Sequence, residues 1–181
     1  MSNETNIPVL ETLVYVPYID ENGQLPEQFQ GKIGVYAIFD REKVLQFVGY
    51  SRDVYLSLKQ HLVRQTQKCY WIKIQTIEKP NRTILESIEQ AWIKENGSLP
   101  LGNGDSKGEW TNPINVKVIM TPEEQEKYQN PLNDEVAQMK ILKNVARRVE
   151  ADILAVLETR GCQTQIRFNP KLKEEGLLDL K

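Results

Sequence analysis

Two runs rich in β-branched and aromatic residues, KIGVYAIF and KVLQFVG, are separated only by the charged triplet DRE between Lys32 and Gly49. No other stretch limits the fold so tightly, because runs this short and this close in sequence pair as an antiparallel hairpin. Each run also carries a distinctive triplet. Gly34, Val35 and Tyr36 stand in the first, and Phe47, Val48 and Gly49 in the second. The hairpin reads either as ordinary packing or as the front wall of a site.

The flanking segments build an α+β unit around it. Upstream, ETLVYVPYI alternates weakly and contains a proline, which suits an edge strand or an extended arm. Downstream the apolar period becomes helical, with Val54, Leu58 and Leu62 in step and Ser51 as a candidate N-cap. CYWIKIQTI returns to strand character. EKPNRTILESIEQAWIKENG holds the clearest helix: Thr83 and Glu86 read as a capping box, Ile84, Leu85, Ile88, Ala91 and Trp92 form the stripe, and Gly97 suits a left-handed stop.

A Gly-rich loop, SLPLGNGDSKGEWTN, follows, then the short strand candidate INVKVIM. Thr121, Pro122 and Glu124 mark another helix start. A long helix is expected over about 134–160, with a seam of Leu142, Val145, Val149, Ile153 and Leu157, and QTQIRF reads as a last short strand. The expected organisation is an extended arm over 1–30, an α+β unit over 31–103 with a small antiparallel or mixed sheet in the order β-β-α-β-α, and a mainly helical extension over 104–181.

Charge is informative only when divided along the chain. Residues 1–30 hold five acids and no bases, residues 31–103 eleven bases against seven acids, and residues 104–181 twelve against thirteen. The basic excess therefore surrounds the hairpin and is compatible with a phosphate-bearing ligand. No stretch is long and apolar enough to insert into a membrane, and the first residues lack the pattern of a secretory signal, so a cytoplasmic location is expected. Cys69 and Cys162 are too few for a disulfide scaffold or a zinc site and are expected as reduced thiols.

The element order and both triplets resemble the GIY-YIG nuclease family. Gly34, Val35 and Tyr36 match the first motif, Phe47, Val48 and Gly49 the second, His61 a histidine of the first helix, Glu89 the glutamate of the second helix, and Asn103 the closing asparagine. LQFVGYS and LPLGN look most like the GIY-YIG-type domain found at the front of plant chloroplast monothiol glutaredoxins and in cyanobacterial proteins. The resemblance implies a metal-dependent DNA endonuclease in which Tyr36 acts as or orients the general base, His61 assists, and Glu89 holds Mg2+ or Mn2+. Such residues suit phosphodiester hydrolysis, which requires a deprotonated water, a stabilised phosphorane and a neutralised leaving oxygen.

Two departures fall on important positions. Phe47 replaces a tyrosine and removes its hydroxyl, and Ser57 stands where the family carries an arginine, four residues before His61. A serine supplies no permanent charge to clamp a phosphate. Arg52, Lys59 and Arg64 are the nearby cations. Lys59 points elsewhere on a helix and Arg64 lies two turns along, so neither is a compelling substitute.

Outside this region, Lys140, Lys143 and Arg147 lie on one side of the long helix and are candidates for sequence-blind phosphate contacts. The alternative is a solvated face with charge pairs to Glu150 and Asp152. Trp110 is a candidate for base stacking or, more commonly for a loop tryptophan, for covering a domain junction. Two functions follow as expectations: a weak nucleic-acid endonuclease, or a catalytically silent GIY-YIG-derived assembly module in a cyanobacterial or plastid setting, docking a protein partner on the C-terminal helix.

Overall fold

The computed structural model describes residues 7–181, which form two compact units dividing between Thr111 and Asn112. The α+β class is as expected. In the first unit four strands, β1 (Val16–Pro17), β2 (Ile33–Phe39), β3 (Leu45–Ser51) and β4 (Trp71–Ile77), form an antiparallel sheet in the order β1-β4-β2-β3. The short β1 lies at one edge, where the missing N–H of Pro17 removes no internal ladder bond. The hairpin turn is longer than DRE. Asp40 Oδ1 accepts from the amides of Glu42 and Val44, and Lys43 turns the chain with φ +64°, so Lys43 and Val44 leave the second run.

Helix α1 (Val54–Arg64) covers one face of the sheet and α2 (Arg82–Asn96) the other. On the α2 side, Val35, Ala37 and Phe39 of β2 pack with Leu45 and Val48 of β3 and with Leu85, Ile88 and Trp92 of the helix. The helix caps differ from expectation. Asp53, not Ser51, caps α1, because the Ser51 hydroxyl is engaged with the Asp53 backbone. Asn81, not Thr83, caps α2, and Glu86 is drawn instead to Arg82 and to the Tyr50 hydroxyl. Gly97 stops α2 at φ +81°, as expected.

From Pro8 onward the arm belongs to this unit, as a strap across α2 and the sheet. Leu10 fills the core beside Trp92, whose indole N–H donates to Pro8 O at 2.9 Å. The Glu95 carboxylate accepts from the amides of Leu10 (2.8 Å) and Glu11 (2.9 Å), while the Lys73 ammonium donates to Leu10 O at 3.0 Å. Opposite charges thus hold the amide and the carbonyl of the same residue, Leu10. Lys73 also lies 4.1 Å from the centroid of the Tyr15 ring.

The expected Gly-rich loop contains a 3-10 turn at Leu101–Asn103 and a short helix α3 (Lys107–Thr111), both within the first unit, which therefore extends beyond the expected boundary at 103.

The second unit is built on α5 (Glu135–Thr159), which buries Leu142, Val145, Ala146, Val149 and Leu157 and is capped by Asp134. Helix α4 (Pro122–Tyr128) has the full capping box of Thr121 and Glu124. Two expected strands are corrected. Only Ile114–Asn115 (β5) of INVKVIM is extended, paired with Leu177–Leu178 (β6), because the Asn115 side chain accepts from the Lys117 amide and turns the chain into a 3-10 helix. QTQIRF forms no strand; Phe168 alone bridges to Leu180 before Asn169 caps α6 (Pro170–Lys173). Arg148 is held by Glu124 at 2.8 Å and Asp152 at 2.9 Å, and Lys173 by Glu150 at 2.5 Å. No helix among the described residues is long and apolar enough to cross a membrane.

Candidate functional site

Alternation along β2 sends Tyr36 to the sheet face opposite the apolar core, under α1. On α1, Ser57, His61 and Arg64 follow at spacings of four and three and so share one side. These side chains, with Glu89 of α2 and Asn103 of the 3-10 turn, line one open cleft of about 310 Å³ at the edge of β3. Tyr36, His61, Glu89 and Asn103, named from four different elements, are therefore brought together. Phe47, Val48 and Gly49 form its wall. Gly49 is required by close approach: a Cβ there would stand 2.6 Å from the Phe47 ring and 2.8 Å from the Tyr36 hydroxyl.

The phenol and the imidazole are paired and buried. Tyr36 Oη and His61 Nε2 are 2.8 Å apart, and the residues are 3% and 4% exposed. His61 Nδ1 lies 2.9 Å from the carbonyl of Trp110, which only accepts, so Nδ1 carries the proton and Nε2 accepts from the Tyr36 hydroxyl. Burial, reinforced by the Arg64 charge and opposed by the Trp110 carbonyl, pushes the His61 pKa down to about 3. The imidazole is neutral at physiological pH. Burial also raises the Tyr36 pKa well above its ordinary value, with the Glu89 charge assisting the shift and the Arg64 charge opposing it. A phenol in that state accepts a proton only in concert with giving up its own.

Arg64 is where the expectation from helix spacing needs correction. It lines the same cleft as Ser57, and its Nη1 donates to Trp110 O at 3.0 Å. Arg64 is thus a basic residue of the cleft, where Ser57 supplies no charge. Ser57 itself donates to Ser51 Oγ at 2.7 Å. Arg52, exposed, and Lys59, half-buried, do not line the cleft. In the second unit Lys140 and Arg147 are exposed and Lys143 is half-buried on α5.

Glu89 is half-buried and its pKa is raised by burial, with Gln90 opposing. No group of three or more His, Cys, Asp or Glu side chains is gathered as a metal cage among the described residues. One desolvated carboxylate opening on a cleft nevertheless suits Mg2+ or Mn2+, which keep most of their shell as water. Asn103 is engaged by the backbone of β3. Its Oδ1 accepts from Val48 N at 2.8 Å and its Nδ2 donates to Val48 O at 2.7 Å, so the amide caps the edge of the strand.

Trp110 is not displayed for a base. It is 1% exposed, and its ring lies parallel to Phe47, with centroids 5.3 Å apart and planes 4° apart. The sequence reading missed Gln60, Lys107 and Thr111 on the cleft rim and the backbone role of Trp110. Spacing on α1 could have indicated Gln60 and Arg64, whereas a backbone carbonyl leaves no signal in residue types.

No family model matches the chain. Over 74 residues, 39% of its length, it is 36% identical to bifunctional monothiol glutaredoxin-S16, chloroplastic, of Arabidopsis thaliana. The match spans about a quarter of that plant protein. It establishes a partial relationship, to a protein that is chloroplastic by name.

Proposed function

We propose that the first unit is a GIY-YIG-type module that binds nucleic acid, DNA foremost, and hydrolyses phosphodiesters slowly. The observation that supports this reading is the gathering of Tyr36, His61, Arg64 and Glu89 on one solvent-open cleft. Arg64 would take the charge of the phosphate, the role that Ser57 cannot fill. Tyr36 would accept a proton from water while passing its own to His61 Nε2. Glu89 would hold Mg2+ or Mn2+, which when bound neutralises charge developing on the phosphate. Slowness follows from the proton acceptor, because an imidazole with a pKa of about 3 is a weak base. Lys140, Lys143 and Arg147 of the second unit would add sequence-blind phosphate contacts. The thiol chemistry in the plant relative's name is not carried over: Cys69 is buried, and Cys162 follows a helix C-terminus, which disfavours a thiolate.

A supercoiled-plasmid nicking assay with magnesium, manganese and EDTA tests this reading. Metal-dependent nicking should fall at least tenfold in Glu89→Ala, and equal nicking by both proteins would refute the assignment. A salt titration of affinity for duplex DNA should have a clear negative slope, reduced in Arg64→Met.

A second reading, a silent module that docks a protein through α5, is favoured by a different observation. Leu132 (90% exposed), Val136 and Met139 leave apolar surface uncovered around the start of that helix. Absence of both nicking and DNA binding at low salt would favour it.

A further inference from the structure

Trp110 is buried beside the cleft, and neither catalytic motif includes it. Its indole stacks on Phe47, the position where the resemblance leads one to expect a tyrosine. Its backbone carbonyl accepts from two cleft side chains at once, His61 Nδ1 at 2.9 Å and Arg64 Nη1 at 3.0 Å. A carbonyl oxygen has two lone pairs, so both are used. We propose that Trp110 is the positioning residue of the cleft: anchored by its stack on Phe47, it fixes His61 as the Nδ1–H tautomer and aligns Arg64 beside it.

The proposal gives Phe47 a meaning other than loss. A phenyl ring at this position lies flat against the indole, and Gly49 leaves the room that Phe47 and Tyr36 both occupy. The turn that leads into α3 is fitted to the same place. Gly102 has no Cβ to collide with Gln46 O or with the Trp110 indole, which would stand 2.5 Å and 3.0 Å away. With α3 seated, the proton chain runs one way, from the Tyr36 hydroxyl to His61 Nε2 and from His61 Nδ1 to Trp110 O. The imidazole then carries no charge, and the cation beside it is Arg64. Such an arrangement accepts a hydrogen from the cleft at the phenol oxygen and offers an anion the guanidinium. The inference rests on the cleft being the functional site proposed above, but its geometry can be read without turnover.

His61 is the one histidine of the chain, so its ring nitrogens can be followed without overlap. Long-range proton–nitrogen NMR of the full chain, labelled with 15N-histidine, should report Nδ1 protonated and Nε2 bare at neutral pH. In Trp110→Ala the Nδ1–H form should cease to be the major species, and Trp110→Phe, which can still stack on Phe47, should restore it. A wild-type ring in the Nε2–H form would overturn the proposal, as would an unchanged Nδ1–H spectrum in folded Trp110→Ala. If Trp110→Ala does not fold, the wild-type and Trp110→Phe spectra decide: Nδ1–H in both supports the proposal, and Nε2–H in either overturns it. Lack of plasmid nicking alongside the expected spectra would count against the nuclease reading while supporting this one.

Discussion

The two faces of β2 are made by adjacent residues and do different work. Toward α2, Val35, Ala37 and Phe39 enter an apolar core with Leu85, Ile88 and Trp92. Toward α1, Tyr36 enters an equally buried layer in which a phenol, an imidazole and a backbone carbonyl are joined by hydrogen bonds. The first face is held by area removed from water, which is insensitive to pH. The second depends on every polar member keeping its partner, since an unpaired buried donor or acceptor costs about 1–3 kcal/mol. The difference teaches that one strand can supply both a core and a site, and that the two should fail differently.

The largest effect should come from the apolar face. Trp92→Ala removes a fully buried side chain and the indole bond to Pro8, and should lower stability by about 3–5 kcal/mol, measured as a fall in the urea midpoint. That loss should be the same at pH 5 and pH 8. A loss that depended strongly on pH would break the contrast.

The next effect belongs to the other face. The His61 pKa lies below its ordinary value of 6.5, at about 3, so the unfolded chain binds a proton in that window and the folded chain does not. Stability contributed by this neutral imidazole is complete above pH 6.5. It should decline steadily as the pH falls from 6.5 toward about 3, then level off. Comparing urea midpoints of wild type and His61→Phe across this range isolates the effect, and the variant should lack this limb of the profile.

A smaller change sharpens the comparison at the sheet edge that both faces share. Asn103→Ala leaves the Val48 N–H and C=O without their side-chain partner and should cost about 1–3 kcal/mol by urea denaturation. It should also release α3, raising amide exchange at Val48. The smallest effect is expected at Arg82→Ala, since its pair with Glu86 is exposed. The urea midpoint should not move measurably.

The elements themselves are largely legible in the residues. Thr121, Pro122 and Glu124 write out the start of α4, and apolar spacing gives most of the α5 seam, to which the structure adds Ala146 as a buried member. Caps are harder to read, because several residues compete for one role. Thr83 and Glu86 have the right spacing, but Asn81 reaches the Ile84 amide first, and Tyr50 and Arg82, brought close by folding, take Glu86. In the site, the named side chains converge, whereas spacing underestimates Arg64 and residue type misleads about Trp110. Stacking against Phe47 and sharing a carbonyl depend on how a five-residue helix returns to the sheet, and no periodicity encodes that return.

The strap also bears on how the chain is made. Leu10 and Glu95 are 85 positions apart, and neither Glu95 nor Trp92 exists when Leu10 first leaves the ribosome. The earliest part of the unit to be synthesised is therefore among the last to find its place. Until α2 has cleared the exit tunnel, a greasy side chain meant for the interior remains open to chaperones and to neighbouring nascent chains.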